Sequence, residues 1–203
     1  MNDNSNKELY RVIFVLGPPG CGKNTQCDRL KEYFNLVHFS AGDLLREEVN
    51  NPESTQGQLI NEYIKAGTIV PVRITCSLIK NAMEKAGGSK NIYIIDGFPR
   101  NKENLDGWLD TFKDTCKIIC VLLLECPEKD CSDRILFRGQ GSGRIDDNRE
   151  VLTKRFNVFQ GETMPNIMEM EKLTKIVKVD SSKSKDEVFK SASEKISILI
   201  NNQ

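Results

Sequence analysis

The sequence predicts an α/β fold in which a parallel five-stranded sheet is flanked by helices. Short runs rich in Ile and Val alternate along the chain with longer amphipathic stretches, the order expected of parallel strands joined by crossover helices. The runs are apolar enough to be covered on both faces of a sheet. The first of them leads into a glycine-rich loop, Gly17–Thr25, that contains a lysine at position 23. This pattern is typical of a phosphate-binding loop.

Local patterns place the individual elements. The apolar runs predict strands at Arg11–Leu16, Leu36–Phe39, Asn91–Ile95, Lys117–Leu124 and Lys175–Val179. The amphipathic stretches between them predict helices, among them Lys23–Phe34, Ser54–Ala66, Arg73–Ala86 and Ser184–Ile200. Because ligands of such sheets bind at the carboxyl ends of the strands, the residues that follow each run are the candidates for function.

Composition indicates a soluble globular protein. The chain has 203 residues, of which 29% are charged and 38% hydrophobic, and we expect one domain, 1–203, with small subdomains inside it. The 29 basic residues balance the 29 acidic ones. No overall positive field therefore favours a nucleic-acid partner.

The termini and cysteines bear on location. The longest apolar run near either end, Val12–Leu16, is too short to span a bilayer, and Met1–Tyr10 lacks the features of a secretory signal. We therefore expect a cytoplasmic protein, with the nucleus as a further location, and no membrane partner. The seven cysteines are odd in number and irregularly spaced, which predicts reduced thiols rather than disulfides or a zinc site.

The loop Gly17–Thr25 has the spacing Gly-x-x-x-x-Gly-Lys between a strand and a helix, which is the context of a P-loop NTPase-type fold. Its backbone N–H groups and the helix dipole favour a bound anion, and Lys23 would reach the β- and γ-phosphates. Asn24 stands where most such loops have Ser or Thr, so Thr25 is the candidate hydroxyl. The predicted ATP-binding residues of the loop are Gly20, Cys21, Gly22, Lys23, Asn24 and Thr25.

Arginines follow two further strand ends. Arg46 ends the motif Ser40–Arg46 after the second strand, and Arg100 lies in Asp96–Asn101 after the third. A planar guanidinium can donate two hydrogen bonds to one phosphate. The pair therefore predicts a second phosphate site beside the first.

A third cationic region contains a glycine-rich joint, Gly139–Gly143, and is flanked by Arg134, Arg138, Arg144, Arg149 and Arg155. Such a density of glycine predicts a hinge, and cations on both sides of it could fold over the phosphates and exclude water. The alternative is an ordinary surface loop with solvated arginines, which we favour for Arg149.

These motifs together resemble the adenylate kinase superfamily of nucleoside monophosphate (NMP) kinases, and within it the UMP-CMP kinase group. The resemblance extends from about Val12 to Ile200. It rests on five ordered motifs, which are residues 17–26, 40–46, 67–71, 96–101 and 138–148.

The resemblance implies a mobile NMP-binding region, 40–70, and a short lid, 138–148. It implies that Arg46 and Arg100 hold the acceptor phosphate and that Asp96 orients Mg²⁺ through water, with Thr25 nearby. The implied NMP-binding residues are Ala41, Arg46, Thr68, Ile69, Val70, Gly97, Phe98, Pro99, Arg100, Asn104, Arg144 and Arg155.

The same resemblance assigns the lid. Arg138 would contact ATP, Arg144 and Arg155 would converge on the transferring phosphoryl group, and Asp146 and Asp147 would pair with arginines. Lys183 would border the adenine. The lid has no cysteine, which argues against the structural zinc of longer-lidded relatives. The implied catalytic residues are Lys23, Asp96, Arg100, Arg138, Arg144 and Arg155.

The acceptor base is inferred from Asn104, which matches the UMP-CMP kinase group, and from Ala41 in place of the Thr usual in adenylate kinases. Asn101 also matches that group, or it caps the following helix. We expect a monomer that transfers phosphoryl from MgATP to CMP or UMP, and also to dCMP, for pyrimidine metabolism. An adenylate kinase and a non-catalytic nucleotide-binding module are the alternatives. The single histidine, His38, is interpreted as a packed core residue.

Overall fold

The computed structural model describes residues 9–139, 145–146 and 148–201. The strands of this part of the chain are β1 Tyr10–Leu16, β2 Val37–Ser40, β3 Ile92–Asp96, β4 Cys116–Glu125 and β5 Lys175–Asp180. Its α-helices are α1 Lys23–Phe34, α2 Ala41–Asn50, α3 Gly57–Ala66, α4 Val72–Lys85, α5 Lys102–Phe112, α6 Glu128–Gly139, α7 Arg149–Val158, α8 Met164–Met170 and α9 Lys185–Asn201. A π-helical turn, Phe159–Thr163, joins α7 to α8.

The five strands form one parallel sheet in the order β2-β3-β1-β4-β5. This confirms the predicted fold class. The register pairs Val15 of β1 with Asp96 of β3, and Ser40 of β2 with the same Asp96. The loop after β1 and the ends of β2 and β3 therefore lie side by side at one edge of the sheet.

Two hydrophobic cores cover the two faces of the sheet, and this explains why the strands are apolar throughout. Successive residues of β1 enter different cores: Ile13 and Val15 face α1, α6, α7 and α9, whereas Phe14 packs on the side of α4, α5 and α8. On the latter side, Phe14 meets Trp108 edge to face, with the ring centroids 5.0 Å apart. The sheet is thereby held as a rigid base for the loops at its carboxyl edge.

The segment 40–70 has a small apolar cluster of its own. Leu45 of α2, Ile60 of α3 and Val70 are buried together. The helix α2 starts on a side-chain cap, because the Ser40 hydroxyl accepts the N–H of Asp43 at 3.3 Å.

Helix boundaries depart from the prediction by more than one residue in one place. The helix predicted to begin at Ser54 begins instead at Gly57. The Ser54 hydroxyl accepts the N–H of Gln56 at 3.2 Å, and such local side-chain bonds compete with the helical pattern.

All seven cysteines are free, and most of them are buried. This confirms the prediction that the thiols are reduced. Within the part of the chain that the structure describes, helices long and apolar enough to traverse a bilayer are absent.

Candidate active site at the carboxyl edge of the sheet

A cleft of about 630 Å³ runs along the carboxyl edge of the sheet. Its volume lies in the range of small-molecule binding sites. Its walls come from the loop after β1, the start of α2, the end of α3, the loop after β3, and parts of α6, α7 and α9. Elements distant in sequence thus meet around one space.

The loop after β1 is held close to α6. Gly20 has φ +84°, and a Cβ there would lie 2.4 Å from the carbonyl oxygen of Cys131. Only glycine fits such a position. The helix α1 then begins at Lys23, whose Nζ donates to the carbonyl oxygens of Gly17 and Pro18 at 2.9 and 3.0 Å. The loop and the helix N-terminus therefore form a positively polarised end of the cleft.

The substitutions Gly20→Ala and Gly22→Ala form a matched pair. Both glycines have positive φ, a conformation that costs an L residue about 1–2 kcal/mol. A Cβ at Gly22, unlike one at Gly20, would meet nothing within 4 Å. We therefore expect Gly20→Ala to lower the free energy of unfolding by about 1–3 kcal/mol more than Gly22→Ala does, measured by urea denaturation. Equal losses would contradict the close approach of Gly20 to α6.

Asp96 ends β3 beside this loop and is 5% exposed. Its Oδ1 is buried and has no hydrogen-bond partner among the described residues. Burial raises the pKa of Asp96, and the charges of Lys23, His38 and Arg100 oppose the rise. A carboxylate with an unused oxygen fits Mg²⁺, which prefers carboxylate and water oxygens. Thr25 also lines the cleft and offers a hydroxyl.

Arginines from three separate segments also line the cleft. Arg100 Nε donates to the Gly97 carbonyl oxygen at 2.7 Å, Arg46 pairs with Asp43 at 2.6 Å, and Arg155 pairs with the buried Asp146 at 2.7 Å. The pKa of Arg100 is lowered to about 10, first by burial and then by repulsion from Arg155 and Arg46. The three positive charges therefore repel one another, and a bound anion would reduce this repulsion.

The helix α5 links Arg100 to the cleft wall. Asn101 is the N-cap of α5, since its side chain accepts the N–H of Asn104 at 2.9 Å, and this confirms the capping alternative. Asn104 is 3% exposed and lines the cleft. Its Oδ1 accepts the N–H of Arg100 at 3.2 Å, which leaves its amide nitrogen to donate to a ligand.

Sequence reasoning counted Arg134 among the arginines that flank the glycine-rich joint, but it assigned no role to Ser181 or Phe137, which also line the cleft. Arg134 Nη1 donates to the Ser181 carbonyl oxygen at 3.0 Å, and the Ser181 hydroxyl donates to the carbonyl oxygen of Cys21. These contacts join α6, the end of β5 and the phosphate loop. Ser181 follows a predicted strand. Because ligands of such sheets bind at the carboxyl ends of the strands, its position could have indicated a site residue. The exposed Phe137 also lines the cleft, but no sequence motif indicated a role for it.

Most of the predicted site residues come together in this cleft. Those lining it are Gly20, Cys21, Gly22, Lys23, Asn24, Thr25, Ala41, Arg46, Thr68, Ile69, Val70, Asp96, Gly97, Phe98, Arg100, Asn104, Arg138, Arg155 and Lys183. Pro99 is absent from the lining. It is buried behind the wall, where its carbonyl oxygen accepts from Asn166 at 3.5 Å. Arg144, Asp147 and the middle of the predicted lid lie outside the described residues.

A phosphate loop on a parallel sheet, with a second cationic site in the same cleft, defines a P-loop nucleotide phosphotransferase. A family model described as adenylate kinase matches residues 15–175, and the chain belongs to the adenylate kinase family.

Curated relatives include the UMP-CMP kinases of Rattus norvegicus and Homo sapiens. Each is 50% identical to this chain over 181 residues, which cover 88% of the chain and 92% of the relative. The UMP-CMP kinase of Danio rerio is 50% identical over 182 residues, 88% of this chain and 93% of its own length.

Proposed function

We propose that the protein transfers the γ-phosphoryl group of MgATP to CMP or UMP and forms ADP and CDP or UDP. The observation that carries the reaction is one cleft lined by both the phosphate loop and three arginines, Arg46, Arg100 and Arg155. The pyrimidine acceptor is supported by the relatives named UMP-CMP kinase, at 49–50% identity.

The donor end is suited to a triphosphate. The loop N–H groups and the N-terminus of α1 would bind phosphate oxygens, and Lys23 Nζ would leave the loop carbonyl oxygens to pair with the β- and γ-phosphates. Arg138 lines the same space, and we assign it to the donor phosphates. Lys183, beyond β5, would border the adenine.

The acceptor end would fix the attacking phosphate. We assign Arg46 and Arg100 to the acceptor phosphate, and Arg155 to the group in transfer, together with Arg144. Holding both phosphates in line removes most of the entropic barrier to their encounter. The arginine charges would then stabilise the negative charge on the equatorial oxygens in the transition state.

The metal proposed for this site is Mg²⁺, held by Asp96 through water, with the Thr25 hydroxyl close by. When bound, it would neutralise charge on the β- and γ-phosphates. Asp96 supplies the oxygen that lacks a hydrogen-bond partner among the described residues.

We infer direct transfer without a covalent enzyme intermediate. Cys21 is a thiol of the phosphate loop itself and lines the cleft, and burial raises its pKa. A protonated thiol is a poor nucleophile. The cleft instead offers positioning and positive charge, which suffice for phosphoryl transfer.

The acceptor base would lie near Asn104, whose amide nitrogen can donate to the O2 atom that cytosine and uracil share. The buried Ala41 leaves space in the same wall. We also propose a cytoplasmic monomer, because one chain contains both ends of the cleft.

The test is an ATP-driven transfer assay against CMP, UMP, dCMP, AMP and GMP, with product nucleotides resolved by chromatography. We expect CMP and UMP to give the highest kcat/KM values, with dCMP also a substrate. AMP as the best acceptor would replace the pyrimidine assignment with an adenylate kinase. Binding of ATP without transfer to any acceptor would indicate a non-catalytic module.

A further inference from the structure

Three potential metal ligands meet beneath the phosphate loop. Cys27 of α1, His38 of β2 and Asp96 of β3 each offer one ligand atom, and these atoms all lie within 4.8 Å of one another. Cys27 is 0% exposed, the side chain of His38 8% and Asp96 5%. The cluster is therefore preassembled by three elements of the rigid core.

Two of the three side chains carry unused polar atoms. His38 Nε2 and Asp96 Oδ1 are buried without a hydrogen-bond partner among the described residues. A buried polar atom that lacks a partner costs about 1–3 kcal/mol. Such atoms therefore require a ligand or an ordered water.

The histidine is oriented as in metal sites. His38 Nδ1 lies 3.1 Å from Oδ1 of Asp28, so Nδ1–H donates to the carboxylate and the lone pair of Nε2 is left free. Metal-binding histidines characteristically donate their other ring N–H to a carboxylate in this way. Asp28 thus acts as a positioning residue for His38.

We propose that Cys27, His38 and Asp96 bind one divalent cation of the Zn²⁺ class, with solvent from the cleft as the fourth ligand. The donor set of thiolate, imidazole and carboxylate suits Zn²⁺. On binding, the Cys27 thiol releases its proton to solvent. Thiolate and carboxylate then carry two negative charges against the two positive charges of the ion, so no net charge is buried.

Occupation of this site would inhibit the enzyme. Asp96 is the carboxylate assigned above to Mg²⁺, and its coordination by the second cation removes it from that role. The inhibitory consequence rests on the proposed function, whereas the binding of the cation does not.

Cobalt is the spectroscopic probe for binding. The full chain, reduced and stripped of metal, is titrated with Co²⁺ and followed by absorption. We expect thiolate-to-cobalt charge-transfer and tetrahedral d–d bands that saturate at one equivalent and disappear when Zn²⁺ is added. Absence of these bands would mean that a buried water, and not a cation, satisfies His38 Nε2 and Asp96 Oδ1, and this would overturn the proposal.

Variants identify the ligands. Cys27→Ser should abolish the charge-transfer band, while Cys116→Ser, which removes a half-buried thiol outside the cluster, should leave it unchanged. Asp28 has an exposed side chain, so Asp28→Asn should fold and should weaken Co²⁺ binding by about 10–100-fold. Retention of the band in Cys27→Ser, or unchanged affinity in Asp28→Asn, would contradict the assignment.

Inhibition is measured separately, at buffered free Zn²⁺ and constant MgATP. We expect Zn²⁺ to inhibit phosphoryl transfer in the unchanged protein and to require about 10-fold higher concentration in Asp28→Asn. Stoichiometric Co²⁺ binding without inhibition by Zn²⁺ would keep the metal site but reject its regulatory role. Absence of transfer activity at any Zn²⁺ concentration would refute the proposed function and leave the metal site intact.

Discussion

Replacing Lys23 with methionine is expected to lower kcat by about 10²–10³-fold, the effect of losing one preorganised electrostatic group from a transition state. Methionine keeps an unbranched side chain at the start of α1, so the decrease in kcat measures the effect of removing the positive charge. Lys23 Nζ is held within 3.0 Å of two loop carbonyl oxygens, close to the position that the donor phosphates would occupy. The measurement is kcat at saturating ATP and CMP.

Lys31→Met is the matched control for this substitution. Lys31 lies in the last turn of the same helix and is exposed, and its replacement should leave kcat unchanged. A kcat for Lys23→Met similar to that of the control would remove Lys23 from the catalytic role.

Arg100→Ala is expected to reduce kcat/KM for the acceptor by about 10²–10³-fold while the Kd for ATP stays close to its original value. Loss of two charge-assisted hydrogen bonds to one phosphate corresponds to about 3–4 kcal/mol. The measurements are steady-state kinetics with CMP or UMP varied, and calorimetric titration with ATP alone. We expect the two effects to separate because Arg100 is assigned to the acceptor phosphate, whereas the phosphate loop is assigned to ATP.

Arg73→Ala serves as the control for Arg100, because Arg73 is exposed at the start of α4 and lies outside the cleft lining. Arg73→Ala should change neither kcat/KM for the acceptor nor the Kd for ATP. An equal loss of ATP and acceptor binding in Arg100→Ala would show that donor and acceptor ends are assigned wrongly.

The fold was predictable because its strands are covered on both faces. Residues 12–16 of β1 and 119–124 of β4 are buried whichever face they point to, so the apolar runs indicated the strands directly. The first residues of the helices were harder to predict, because local side-chain hydrogen bonds compete there with the hydrogen bonds of the helix. The side-chain bond from Gln56 N–H to Ser54 delays α3, whereas no comparable turn interferes at Lys23, where the predicted and observed starts agree.

The sequence predicted those residues of the cleft that lie in a motif directly after a strand. Lys23, Arg46 and Arg100 each follow a strand, and the sheet register brings them to one edge. The neighbourhood of Cys27, His38 and Asp96 could not be deduced in this way. His38 lies within a strand and Cys27 within a helix, and only the packing of α1 on the sheet joins them.

The three arginines at the acceptor end also constrain the ionisation of the ligand. Burial, and after it repulsion from Arg155 and Arg46, lowers the pKa of Arg100. The positive potential behind that repulsion would also favour the dianion of a bound phosphate over its monoanion. A free phosphate monoester takes up its second proton near pH 6. In the cleft that protonation would move to lower pH, so the acceptor keeps its full nucleophilic charge in mildly acidic solution.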